Sequence, residues 1–151
     1  MDKTVEREFI GTGIPSHAID DVWNEVSPWV AKELENSNGE FDIDDIYLSL
    51  INREMQLWVM YEKQEIVLAV VTQIMYFPQK KVCRIVGLGG QKHILLEDKM
   101  CILEEWASER ECHSVEAYVS SGTARKLKKS GYNKTYTVVS KNIGDQMKEL
   151  H

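Results

Sequence analysis

Gly87-Leu88-Gly89-Gly90, followed by Gln91 and Lys92, is the densest glycine run in this 151-residue chain. Glycine at such spacing lets backbone N–H groups close around a phosphate, and it equally ends a strand and releases the chain into a helix. Groups able to move a proton follow at His113, Glu116, Tyr118 and Tyr132. Each of them has an ordinary core or surface role as well, and no second residue at matching spacing turns any of them into a catalytic pair. Lys126, Lys128 and Lys129 carry charge that would meet phosphate or simply make a basic solvated helix face.

Metal chemistry is not expected. Cys83, Cys101 and Cys112 are odd in number and lack a Cys-x-x-Cys pair, so they read as buried reduced thiols. His17, His93, His113 and His151 are scattered without ligand spacing. With 18 Lys and Arg against 24 Asp and Glu, the net charge of −6 argues against a nucleic-acid partner, which needs a basic field. The N-terminal stretch has no apolar signal core and no run approaches the ~18 apolar residues of a membrane span, so a cytoplasmic protein is expected. At 43% hydrophobic residues the chain can bury one sizeable core, and residues 1–151 are expected to form a single domain.

The elements that must position these residues follow from periodicity and punctuation. Val5, Phe9 and Ile10 offer a short strand before Gly11 and Gly13. Ser16 is placed to cap a helix with Ile19, Val22, Trp23 and Val26 on one face, and Ser27-Pro28 reads as a second cap, giving two short helices or one kinked helix. After the turn at Asn36-Ser37-Asn38-Gly39, Asp42 caps a helix with Ile43, Ile46, Tyr47, Leu50 and Ile51 along one stripe. Three antiparallel strands are expected next, beginning at Leu57, at Ile66 and at Val82, the last running to Val86 and ending in the glycine run. A helix is expected from about His93 to Arg110, a strand from Val115 to Val119, a short basic helix from Thr123 to Ser130 closed by Gly131, and a last strand from Tyr136 to Ile143. The four tryptophans fall mostly at core-compatible positions, whereas Phe77-Pro78 with Met75-Tyr76 makes an apolar hairpin tip suited to a protein partner.

That order resembles the GNAT superfamily of acyl-CoA N-acyltransferases, and Ser120 to Tyr132 carries the likeness locally. Lys129-Ser130-Gly131-Tyr132 is similar to the family's late Lys-x-Gly-Phe/Tyr motif, and Glu104-Glu105-Trp106-Ala107 to its third helix. The likeness extends over residues 14–143. It implies an α/β (α+β) fold with a mixed central sheet, an antiparallel N-terminal meander and helices on both faces. It also implies a coenzyme A pyrophosphate held at a helix N-terminus, where orphan N–H groups and the helix dipole favour an anion.

Carried over residue by residue, the resemblance puts Gln91 at the head of the pyrophosphate pattern, but the pattern's glycines then fall near Ile94 and Leu96. Taken instead as Gly87, Gly89 and Gly90, they lie a turn early. The family's thiolate-protonating tyrosine aligns with Leu127, which cannot be an acid, and its coenzyme-binding Asn aligns with Ser120. The implied cofactor set is therefore Gly87, Gly89, Gly90, Gln91, Lys92 and Ser120 toward acetyl-CoA, with Glu116, Tyr118 and Tyr132 as the acid-base candidates. The general look is nearest to divergent bacteriophage-encoded GNAT-like proteins. On that reading the acyl-CoA site is degenerate and the role is protein interaction, virion association or host modulation. The alternative is an active N-acetyltransferase.

Overall fold

The computed structural model describes residues 10–35, 39–91 and 100–144. Val5, Phe9, Asn36-Ser37-Asn38, Lys92, His93, Ile94, Leu95 and Leu96 lie outside them, as does His151. The described residues form a five-stranded mixed sheet with four α-helices, and the chain divides into two compact units between Tyr118 and Val119.

In the first unit β1 (Ile10–Ile14), β2 (Gln56–Glu62), β3 (Glu65–Tyr76), β4 (Lys81–Gly90) and β5 (Ser114–Ala117) lie in the sheet in chain order. The first four are antiparallel neighbours and β5 runs parallel to β4. Gly11 and Gly13 do not end the first strand but belong to it. A Cβ on Gly11 would stand 2.4 Å from Ile102 Cδ1, and one on Gly13 would press on the Trp58 ring, so both glycines admit bulky neighbours from the sheet face. Between β2 and β3 the chain reverses through Lys63 (φ 51°) and Gln64 (φ 68°), the two left-handed residues that match the twist of a tight hairpin.

Helix α1 runs unbroken from Ile19 to Leu34 after a 3-10 turn at Ser16–Ala18, so Ser27 caps nothing and Pro28 lies inside the helix. Proline there gives up a backbone hydrogen bond, a local cost of about 3 kcal/mol. Val26 and Val30, one on either side of it, are fully buried against the sheet, and burying such side chains contributes about 1.5–3 kcal/mol each. Tertiary packing thus outweighs the local signal for a break. Helix α2 (Ile43–Ile51) starts as expected at Asp42, whose carboxylate accepts from the Asp45 N–H while Asp45 accepts from the Asp42 N–H. Tyr47 ties the two helices by donating to Asp20 at 2.6 Å.

These helices cover one sheet face, with Ile19, Val26, Val30, Ile46 and Leu50 packed on Leu57, Val59, Ala69 and Val71. Helix α3 (Cys101–Glu109) turns Leu103 and Ala107 inward, and its Trp106 meets Trp58 edge to face with ring centroids 5.2 Å apart. In the second unit α4 (Ser121–Leu127) begins at Ser120, whose hydroxyl accepts from the Thr123 N–H, and a 3-10 turn ends at Gly131 with φ 90° as expected.

The strand expected over residues 136–143 does not form. Tyr136, Val138, Val139 and Ile143 are exposed, and no ladder pairs them among the described residues. The alternation there reports a preference for extended backbone, but a strand exists only through its partner.

Gly89 is the tightest point between helix and sheet: a Cβ on it would lie 2.6 Å from both the carbonyl carbon and the Cβ of Trp29 in α1. Because backbone cannot move aside, Gly89→Ala is expected to destabilise the protein by about 1–3 kcal/mol in chemical denaturation. Gly122→Ala, where the added carbon meets nothing within 4 Å, is the matched control.

Candidate functional site

The glycine run is the last four of the ten residues of β4 rather than a loop after it. Val71 of β3 stands opposite Gly87, and the next residue, Thr72, stands opposite Ile85, so Val86 is an extra residue in β4 and forms a β-bulge. β5 pairs with β4 only from Val82 to Ile85. From Val86 to Gly90, among the described residues, no strand lies beside β4 on that side.

The direction of the backbone groups along this bare stretch follows from one bond. Gln91 donates its N–H to the Val67 carbonyl at 2.8 Å. In an antiparallel ladder hydrogen-bonded and non-bonded pairs alternate, so Gly89 opposite Ala69 and Gly87 opposite Val71 also face β3. Leu88 therefore turns its N–H and C=O the other way, toward the side β5 has left. Gly90, at φ 96°, ends the strand where a Cβ would strike the Val67 carbonyl oxygen at 2.5 Å. Gly87 and Gly89 present their Cα atoms to Val30 and Trp29 of α1. What they contribute to this edge is a helix seated closely enough to hold it.

The other sequence candidates separate into two groups. Glu116 and Tyr118 come together around Arg84 of β4. The Arg84 guanidinium bonds Glu116 Oε1 through Nε at 2.7 Å, forms an ion pair with it, and lies 4.7 Å from the centre of the Tyr118 ring. The pair spans β4 and β5 one residue short of the last paired position. Glu116 is thereby engaged as an acceptor. His113 lies at the start of the same strand pair: its backbone N–H donates to the Lys81 carbonyl and its ring Nδ1 accepts from the Lys81 N–H. In the second unit the Ser120 hydroxyl caps α4, Leu127 is buried, Lys126, Lys128 and Lys129 form an exposed basic face, and the Tyr132 N–H returns to the Leu127 carbonyl.

A buried polar chain has no signature in the sequence. Trp58 donates its indole N–H to Thr72 Oγ1 at 3.0 Å, and that hydroxyl donates to Gln56 Oε1 at 2.9 Å. Only Thr72 is both polar and fully buried among the described residues, and a Trp and a Thr on neighbouring strands give no periodic signal of such a bond. Burial pushes the pKa of the Cys83 thiol up to about 11, with Cys112 adding to the rise. Only Cys83 is buried; Cys101 is exposed and Cys112 half-buried, against the expectation of three buried thiols. No group of three metal-ligating side chains occurs among the described residues.

No protein-family model matches the sequence, and no curated protein is significantly similar to it. Solved structures are similar in fold. The fold is similar to that of solved GNAT acetyltransferases. A predicted acetyltransferase of Clostridium acetobutylicum, solved with acetyl-CoA, superposes with a TM-score of 0.63 at 16% identity, over 91% of this chain and 98% of that one. A ribosomal-protein-alanine N-acetyltransferase of Brucella melitensis gives 0.62 at 12% identity over 90% and 98%. A GNAT family acetyltransferase of Staphylococcus aureus gives 0.60 at 12% over 89% and 98%. At these identities the likeness is one of fold. None of these comparisons links the chain to a bacteriophage or a virion.

Because Cys83 holds its proton more tightly when folded, its contribution to stability is complete below the unfolded thiol's pKa of 9.0 and is lost as pH rises toward about 11. The melting temperature is expected to fall across that window, and Cys83→Ala to flatten the fall. Alkylation with iodoacetamide at neutral pH should label Cys101 in the native protein and Cys83 only after unfolding.

Proposed function

We propose that this chain binds an acyl-CoA along the bare edge of β4 and is an N-acyltransferase. The observation that carries the reading is the coincidence of the Val86 bulge with the end of β5 pairing, which leaves Leu88 in strand geometry with its N–H and C=O unclaimed by β3. An amide-bearing chain such as a pantetheine arm is what such an edge accepts, by the same bonds a further strand would make. When bound, an acyl-CoA supplies a thioester whose carbonyl carbon forms a bond to an amine nitrogen as the C–S bond breaks and the thiol departs with a proton.

The chain's own groups act by position. The Leu88 N–H offers a fixed donor beside the bulge, and a backbone dipole fixed in advance needs no reorganisation to favour negative charge on a carbonyl oxygen. Arg84 holds Glu116 and the Tyr118 ring at the fork of β4 and β5, where Tyr118 keeps a hydroxyl for proton transfer and Glu116 is committed to its ion pair. Leu127 and the capping Ser120 offer no acid, so orientation of the two reactants supplies the rate. The solved relatives in fold include a predicted acetyltransferase holding acetyl-CoA and an aminoglycoside acetyltransferase in complex with CoA, and both support this choice of donor.

Calorimetric titration with acetyl-CoA and with coenzyme A tests the reading directly. Saturable binding in the micromolar range is expected, which corresponds to about 8 kcal/mol. Leu88→Pro removes the one donor in question at a place where a strand tolerates proline, and is expected to weaken binding at least tenfold with the far-ultraviolet circular dichroism unchanged. The absence of heat at millimolar acetyl-CoA would instead favour a scaffold whose acyl-CoA site has decayed and which works by contacts such as the exposed Tyr76-Phe77 hairpin tip.

A further inference from the structure

At the end of the sheet where β1 leaves and β2 enters there is a cleft of about 470 Å³. Among the described residues it shares no lining residue with the bare edge of β4. Its size lies in the range of small-molecule sites. Trp58 and Trp106, already in edge-to-face contact, supply aromatic surface, and Met55 and Leu57 extend it.

The polar lining is one-sided. Ser16, His17, Arg53 and Gln56 contribute, and among the described residues no Asp or Glu lines the cleft, although the chain as a whole carries a charge of −6. Two of these groups are oriented by bonds behind them. An indole N–H can only donate, so Thr72 Oγ1 accepts from Trp58, and the same hydroxyl donates to Gln56 Oε1. Gln56 thus turns its oxygen inward and leaves its NH2 group as the outer end. Arg53 follows α2 with a left-handed backbone (φ 64°), a conformation that a non-glycine residue adopts at a cost. Its Nε donates to Ser16 Oγ at 3.3 Å, and the two terminal nitrogens of the guanidinium remain, the fork that matches a carboxylate.

We infer that this cleft binds a small organic carboxylate with an aromatic or aliphatic body. The carboxylate sits on Arg53 and the Gln56 NH2 group, and the body lies on Trp58 and Trp106. Neutral ligands of the same shape lose the paired contact and keep only the apolar one.

Ligand-observed NMR titration of the full chain with phenylacetate, beside phenylacetamide as the uncharged isostere, is the test. Phenylacetate is expected to bind about tenfold more tightly than the amide, the equivalent of one charge-assisted contact. Arg53→Gln is expected to abolish that preference, and because Arg53 is exposed the variant should fold normally. Trp106→Leu is expected to weaken both ligands together. Equal affinity for acid and amide, an unchanged preference in Arg53→Gln, or no binding of phenylacetate at about 10 mM would each overturn the inference.

Discussion

The contact between Trp29 and Gly89 governs the first unit. Helix α1 can bury Val26 and Val30 completely only if its backbone comes down onto β4, and it comes down where β4 has no side chains to hold it off. Interiors are packed to crystal density, so an added methyl at such a point is not absorbed by slack. The same closeness keeps a helix with an internal proline continuous, since Val26 and Val30, two residues to either side of Pro28, are fully buried.

β4 consequently has two characters along its length. Its first half is locked on both sides, to β3 throughout and to β5 through Ile85, with the Arg84–Glu116 pair bracing the parallel neighbours. Beyond the bulge at Val86 it keeps β3 and the helix but loses β5. Rigidity from one flank and openness on the other is the condition under which a backbone can serve as a recognition surface, because its dipoles are fixed before anything arrives.

The sequence was most readable where one local rule and the tertiary structure agree. Asp42 with Asp45 makes a reciprocal cap, Gly131 takes its left-handed turn, and the meander strands fall close to where alternation and turn residues put them. It was least readable where distant residues decide. Gly11 and Gly13 look like punctuation until Ile102 and Trp58 are seen filling the space above them. Pro28 looks like a boundary until the burial around it is known, and residues 136–143 look like a strand because alternation carries no information about a partner. The glycine run pointed to the candidate edge for a different reason. Its glycines seat a helix, and the group that faces away from β3 with no strand beside it among the described residues is the Leu88 backbone, which no residue-type pattern can mark. The Trp58–Thr72–Gln56 chain was hidden for the same cause, since its members are joined across strands.

Strand order in the sheet equals strand order in the chain, and this bears on how the molecule comes to be built. The two inner pairings close through short reversals, so their entropic cost of closure is small, and the β2–β4 meander can assemble from neighbouring residues alone. The outer pairings need far longer closures, across α1 and α2 for β1 and across the α3 segment for β5. The ladder that stops short at Ile85 is thus also the one that a folding or emerging chain completes late, after the strand that supports it is already in place.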